Sequence, residues 1–79
     1  MDRIEKFLNS VPHLRKRLAK VLRLIGAGKL ADLDVKPLQG EKNVFRVRVG
    51  NVRILFMRRG EFTIAFDIGF RGDVYKKRR

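Results

Sequence analysis

The sequence contains no cysteine and no tryptophan, and it has a single histidine, His13. Without cysteine there is no disulfide framework, no thiolate cage for a metal ion and no thiol nucleophile. One imidazole argues against a histidine-based zinc site and against a Ser–His–Asp triad. These absences exclude most familiar hydrolase and metalloenzyme chemistry, and we expect the protein to use no metal and no cofactor.

Long apolar runs are also missing. No stretch approaches the ~20 apolar residues of a membrane span, and no apolar segment of a signal peptide follows the start. We therefore expect a cytoplasmic protein with no membrane partner. The chain of 79 residues has room for one small domain, residues 1–79, and its 44% hydrophobic content is typical of a folding sequence.

Acidic residues are scarce, since 8 Asp and Glu stand against 20 Lys and Arg, which gives a formal net charge of +12. Two stretches that are rich in Lys and Arg, residues 6–31 and 43–60, contain no acidic residue. Acidic residues cluster instead around Asp32, Asp34 and Glu41. That stretch has the character of a connection between two halves. The charge balance predicts a polyanionic partner.

The first half predicts a pair of helices. Asp2 and Glu5 have the spacing of a capping box, and Pro12 interrupts the helix that follows them. The second helix carries an apolar stripe made of Leu14, Leu18, Val21, Leu22 and Ile25. Its other side is basic, and the local sequence leaves open whether this side is a solvated surface or faces a polyanion or a partner.

The second half predicts three antiparallel strands, residues 44–49, 52–58 and 62–68. A two-residue turn at residues 50–51 pairs Arg48 with Arg53 and Arg46 with Leu55. Alternation then makes one face apolar and places three arginines on the other face, which we call the arginine face: Arg46, Arg48 and Arg53.

The alternation of side chains between the two faces of the sheet predicts the length of the second hairpin loop. A two-residue loop would place residues 62, 64, 66 and 68 on the arginine face, whereas a three-residue loop, residues 59–61, buries the last three of them. We therefore expect the longer loop, with Gly60 in a left-handed conformation. This register sets Asp67 opposite Arg53 and places Thr63 and Ala65 on the arginine face.

The arginine face is costly, because like charges directly opposite each other destabilise a sheet and only Asp67 is expected nearby as a counter-charge. Either the arginine stems lie over exposed apolar surface, or the face binds an anion. The second interpretation suits phosphate, because guanidinium groups match phosphate oxygens bidentately.

Three segments then resemble a known pattern: residues 38–40 (LQG), residues 45–56 (FRVRVGNVRILF) and residues 68–75 (IGFRGDVY). They are similar to the RelE/ParE superfamily of toxin–antitoxin toxins, whose motif runs L-x-G, aromatic-R-x-R-x-G-x-x-R, a closing strand and R-x-x-V-Y. The resemblance implies an α+β fold in which an N-terminal helical hairpin packs on one face of a small twisted antiparallel sheet. The family usually begins with a strand, whereas this sequence begins as helix, so we expect the sheet to lack that strand and to leave an edge that another chain can pair.

The resemblance implies a ribosome-dependent endoribonuclease that cuts mRNA without metal, by attack of a ribose 2′-hydroxyl on the adjacent phosphate. Arg53 and Arg71 would bind the scissile phosphate. Tyr75 would stack on a base or take the 2′-proton, or else it anchors the C-terminus. The remaining expected nucleic-acid contacts are Arg46, Arg48, Lys76 and Lys77, the last two alternatively forming a frayed tail.

The resemblance also implies an acidic antitoxin that wraps the helices or covers the arginine face, with the ribosome and mRNA as further partners. Two further features depart from the family: Phe70 stands where many relatives have histidine, and arginine replaces lysine at positions where some relatives use lysine for proton transfer. Two alternatives stay open. One is a gyrase-poisoning toxin, against which Tyr75 weighs, and the other is a non-catalytic nucleic-acid-binding relative.

Overall fold

The computed structural model describes residues 2–76, with side chains through Val74. Its elements are α1 (Arg3–Ser10), α2 (Arg15–Gly26), β1 (Asp34–Pro37), β2 (Val44–Val49), β3 (Val52–Arg59), β4 (Phe62–Phe70) and α3 (Asp73–Lys76). The strands form one antiparallel sheet in the order β1-β2-β3-β4. The predicted α+β fold is confirmed. Over the described residues, no helix has the length and apolar character needed to cross a membrane.

The first helix begins after Asp2 and ends before Pro12, as the sequence predicts. The Asp2 carboxylate accepts a hydrogen bond from the Glu5 amide at 2.8 Å and caps α1. After α2, Gly28 adopts a positive φ of 73°. Its amide donates to Ile25 and the next amide, of Lys29, donates to Leu24. This pairing of donors closes the helix in a Schellman motif, which glycine favours because it carries no Cβ.

Both helices pack on one face of the sheet and form a single core with it. The apolar residues buried there are Leu8, Val11, Leu18, Val21, Ile25, Val47, Val49, Val52, Ile54, Phe56 and Ile68. The Thr63 hydroxyl of β4 donates to the carbonyl of Ile25 near the end of α2. Thr63 therefore lies on the helix side of the sheet, and its predicted place on the arginine face is wrong.

The first hairpin has the predicted register. Val47 pairs with Ile54, Arg48 with Arg53, and Arg46 with Leu55. Gly50, the first residue of the turn, has a φ of 59°. A side chain would be strained in that conformation, which explains why glycine stands there.

The second hairpin differs from its prediction. Its loop has two residues, because Arg59 pairs with Phe62, and a bulge then shifts the register between Leu55 and Phe56. Phe66 is the extra residue on β4. The short loop turns the start of β4 outward, so that Phe62 is 73% exposed, and the bulge returns Ile68 to the core. The parity argument failed because it assumed that β4 is regular throughout.

Two elements were not predicted from the sequence. β1 lies in the stretch taken as a connection and adds a fourth strand at the edge beside β2. Its Pro37 is compatible with an edge strand, where one side needs no ladder hydrogen bond. The short helix α3 follows β4 and contacts that strand. Within residues 2–76, no strand precedes α1, so β4 is the other edge of the sheet.

Candidate nucleic-acid interface

The sheet face away from α1 and α2 carries two rows of residues that run across all four strands. The row near the first hairpin is Asp34, Arg48, Arg53 and Gly69, and the next row is Lys36, Arg46, Leu55 and Asp67. Residues opposite each other in such rows lie about 4.5–5.5 Å apart at their Cβ atoms. The three arginines of the arginine face therefore form one cluster, as predicted.

Arg53 is at the centre of this face and is only 7% exposed. Its Nη1 donates to the carbonyls of Gly50, at 2.8 Å, and Val52, at 3.2 Å. Among the described residues, no carboxylate forms an ion pair with it. A guanidinium has donors on all three nitrogens, and a buried charge of this kind is stabilised when an anion accepts from the remaining ones.

Arg46 and Arg48 share a single acid. The Asp34 carboxylate has Oδ2 3.0 Å from Arg48 Nε and Oδ1 3.6 Å from Arg46 Nη1. Arg46 Nη1 also donates to the Asp34 carbonyl at 3.2 Å. The Arg48 side chain remains 56% exposed, whereas that of Arg46 is 14% exposed. Sequence reasoning missed Asp34 because its position depends on β1.

Asp67 has a different partner from the one predicted. The register places it opposite Leu55, and Gly69 is the residue opposite Arg53. Its Oδ1 binds Arg3 of α1 at 3.2 Å and accepts from the Ile68 amide at 2.9 Å. Asp67 therefore ties α1 to the edge strand, and the expectation that it neutralises Arg53 is wrong.

The end of β4 brings Arg71 next to the turn that holds Arg53. The Arg71 amide donates to the Asn51 carbonyl at 2.8 Å, while Arg53 donates to the carbonyl of Gly50, the preceding residue. The Arg71 side chain is exposed and pairs with no acid among the described residues. The backbone of Arg71 thus lies on the same turn as the Arg53 guanidinium.

Part of the arginine face is covered. A Cβ added at Gly69 would lie 3.5 Å from the Cβ of Val74, and Val74 is 1% exposed. Since Gly69 is opposite Arg53, α3 packs on the arginine face and contributes to the burial there. The arginine face is therefore not wholly open to solvent. A glycine inside a strand is the sequence signal for such a close approach.

The predicted C-terminal contacts fall at the limit of the description. Tyr75 and Lys76 belong to α3, but their side chains lie outside the described part, as does all of Lys77. Among the described residues, no group of His, Cys, Asp and Glu has the arrangement of a metal site.

A crystal structure of the RelB-RelE antitoxin-toxin complex from Methanococcus jannaschii contains a chain similar to this one. The two superpose with a TM-score of 0.69 and 28% sequence identity, over 82% of this chain and 79% of that chain. The chain has a toxin–antitoxin-related fold. Searches against protein-family models and against curated proteins find no match. The structural likeness supports a role in a toxin–antitoxin system.

Proposed function

We propose that this protein is the toxin of a type II toxin–antitoxin system and that it cleaves mRNA on the ribosome. The observation that carries the proposal is Arg53, a buried guanidinium without a carboxylate partner among the described residues, directly opposite Arg48. A sheet selected for stability alone would not place two arginines opposite each other. An RNA phosphate between them would offset that cost.

The charge favours the toxin over the antitoxin component. The net charge of +12 and the arginine face suit a protein that acts on nucleic acid. Its neutralising partner would carry the complementary acidic charge. The complex from Methanococcus jannaschii joins an antitoxin to a toxin, which supports such a protein partner for this chain as well.

In the proposed reaction the ribose 2′-oxygen attacks the adjacent phosphorus, the bond to the 5′-oxygen breaks, and the products are a 2′,3′-cyclic phosphate and a 5′-hydroxyl. The 2′-oxygen loses its proton, and the leaving 5′-oxygen gains one. Negative charge builds up on the non-bridging oxygens in the transition state. Arg53 and Arg71 would stabilise that charge, because fixed donors around a developing anion lower the barrier.

Proton transfer would fall to Tyr75 and to water. Arginine stays protonated at neutral pH and is a poor acid or base, so the arginine face contributes charge and position only. Phe70 stands where many relatives have a histidine, and its ring carries no group that can donate a proton. Tyr75 follows Val74 in α3, which packs over the row that contains Arg53, and this placement suits either a proton acceptor or a base-stacking platform.

The edge of β4 is the surface that we assign to the antitoxin. It is an unpaired edge within the described residues, and three large apolar side chains on it are exposed: Phe62, Ile64 and Phe70. Exposed edge strands pair readily with an extended segment of another chain. Lys6 of α1 lines a cavity beside Ile68 of the same strand, next to the ion pair of Arg3 with Asp67, and this lysine favours an acidic segment.

The test is to incubate the purified protein with ribosomes and mRNA and to map new RNA ends. Cleavage inside codons that leaves 5′-hydroxyl ends is the expected result. Arg53→Gln should abolish it. Arg59→Gln is the matched control, because it removes the same charge from the same strand and the same face about 20 Å away, at ~3.3 Å per residue.

Three results would contradict the proposal. Equal loss of cleavage in both variants would show that only net charge matters. Trapping of DNA gyrase on plasmid DNA, with intact mRNA, would favour the gyrase-poisoning alternative. RNA binding that weakens with salt but never leads to cleavage would favour a non-catalytic relative. Circular dichroism of each variant separates loss of activity from loss of the fold.

A further inference from the structure

The Asp34 carboxylate lies against two guanidinium groups of the arginine face. One of its oxygens lies 3.0 Å from Arg48 Nε and the other 3.6 Å from Arg46 Nη1. A carboxylate and a phosphodiester present similar paired oxygens to a guanidinium. Both cannot be bound to these two arginines at once in the same geometry.

The position of Asp34 allows its side chain to move away from Arg46 and Arg48. It is the first residue of β1, a strand of four residues at the edge of the sheet, and its side chain is 41% exposed. The strand is held independently of that carboxylate by its pairing with β2 and by Val35, which packs against the core. A change of side-chain rotamer therefore removes the carboxylate from both arginines without moving the backbone, while Arg46 Nη1 keeps its hydrogen bond to the Asp34 carbonyl.

We propose that Asp34 is an internal competitor for RNA, which holds Arg46 and Arg48 in place when no strand is bound and is displaced by a backbone phosphate. This proposal rests on the proposed function and adds a residue that sets affinity at the same face. Its consequence is selectivity. An isolated anion gains little binding free energy when it displaces Asp34, because it only replaces one set of ion pairs with another. An RNA strand that also reaches Arg53 makes a second contact, which offsets the loss of the Asp34 ion pairs.

The removal of the competing charge should tighten RNA binding. Asp34→Asn keeps the size of the side chain but removes its negative charge, so that a phosphate no longer competes with a carboxylate for the two arginines. We expect the dissociation constant for a fluorescein-labelled single-stranded oligouridylate to fall three- to tenfold, which corresponds to about 0.7–1.4 kcal/mol. Exposed ion pairs are weak, so the variant should fold normally.

Asp32→Asn is the matched control. It raises the net charge by the same amount two residues away, and Asp32 is exposed and forms no ion pair among the described residues. Any general effect of charge on RNA binding appears equally in both variants. A further comparison introduces Asp34→Asn into the Arg46→Gln/Arg48→Gln background, where the proposal predicts no additional gain.

The measurement is fluorescence anisotropy at fixed NaCl concentration, with urea unfolding of each variant. Tighter binding by Asp34→Asn alone, lost in the double-arginine background, supports the proposal. If Asp34→Asn binds like Asp32→Asn, or more weakly than the natural chain, the role of Asp34 is overturned while the arginine face stands. If the natural chain and Arg53→Gln bind this RNA equally weakly, the RNA-binding face itself is wrong, and the role of Asp34 falls with it.

Discussion

Arg48 and Arg53 are directly opposite each other on neighbouring strands, yet one is solvated and the other is buried. The Arg48 side chain is 56% exposed, whereas Arg53 is 7% exposed and donates to two backbone carbonyls. The two residues carry the same charge on the same row. Only Arg53 therefore stabilises the hairpin turn through hydrogen bonds, whereas the Arg48 side chain lies mostly in solvent.

This asymmetry predicts unequal effects on stability. Arg53→Ala should lower the free energy of unfolding by about 1–3 kcal/mol, because the loss of the hydrogen bonds to the Gly50 and Val52 carbonyls and of a buried side chain outweighs the relief of its repulsion with Arg48. Arg48→Ala removes the same charge from the solvent side and should change that free energy by less than about 0.5 kcal/mol. Urea unfolding at one ionic strength measures both. Equal effects would mean that the bonds to the turn contribute nothing.

The salt dependence of RNA binding should count the phosphate contacts. For a single strand, the logarithm of the binding constant falls with the logarithm of salt concentration with a slope of roughly −0.7 per phosphate neutralised. The Arg46→Gln/Arg48→Gln variant should reduce the slope by about 1.4 if each arginine contacts one phosphate. Arg59→Gln should leave it nearly unchanged. The same reduction in both variants would indicate diffuse binding over the whole surface.

The contact between Gly69 and Val74 should determine whether α3 stays on the sheet. A Cβ at position 69 would lie at ordinary contact distance from Val74, so Gly69→Ala should fit, but Gly69→Leu should push α3 away. Trypsin should then cleave after Arg71 faster in the leucine variant than in the alanine variant, as measured by mass spectrometry. Equal cleavage rates would show that α3 does not depend on this contact.

The exposed apolar edge of β4 should make the isolated protein associate with itself. Ile64 is 46% exposed on that strand, and a lysine on an edge strand opposes strand pairing. Ile64→Lys should reduce association at high protein concentration, as seen by dynamic light scattering. Gln39→Lys adds the same charge in the exposed loop between β1 and β2, at the opposite edge of the sheet from β4, and should have a smaller effect. If both variants reduce association equally, then repulsion between whole molecules, and not the edge, controls it.

The sequence was sufficient to predict the helices and the first hairpin. The apolar stripe of α2 has a clear helical period, and the turn at Gly50 fixes the register of Arg48 with Arg53 without ambiguity. The arginine face follows from that register alone. The family resemblance of the sequence added the expectation of a helical hairpin on an antiparallel sheet, which the fold confirms.

The rest depended on contacts that no local pattern encodes. β1 has four residues, and its Lys36 and Pro37 are poor strand formers, so only pairing with β2 defines it. Asp34 could not be assigned to the arginines without that strand. The bulge at Phe66 is equally invisible, because a single extra residue inverts the parity on which the prediction of the second hairpin relied.

The extra residue Phe66 divides β4 into two parts whose apolar side chains have different surroundings. Before Phe66, the strand turns Phe62 and Ile64 outward, where they are free to meet another polypeptide. After it, Ile68 closes the interior beneath the helices. Deletion of Phe66 would impose one alternation on the entire strand, so that either the exposure of Phe62 and Ile64 or the burial of Ile68 would be lost. A single extra residue thus lets one strand of nine residues expose apolar side chains in its first part and bury an apolar side chain in its second part.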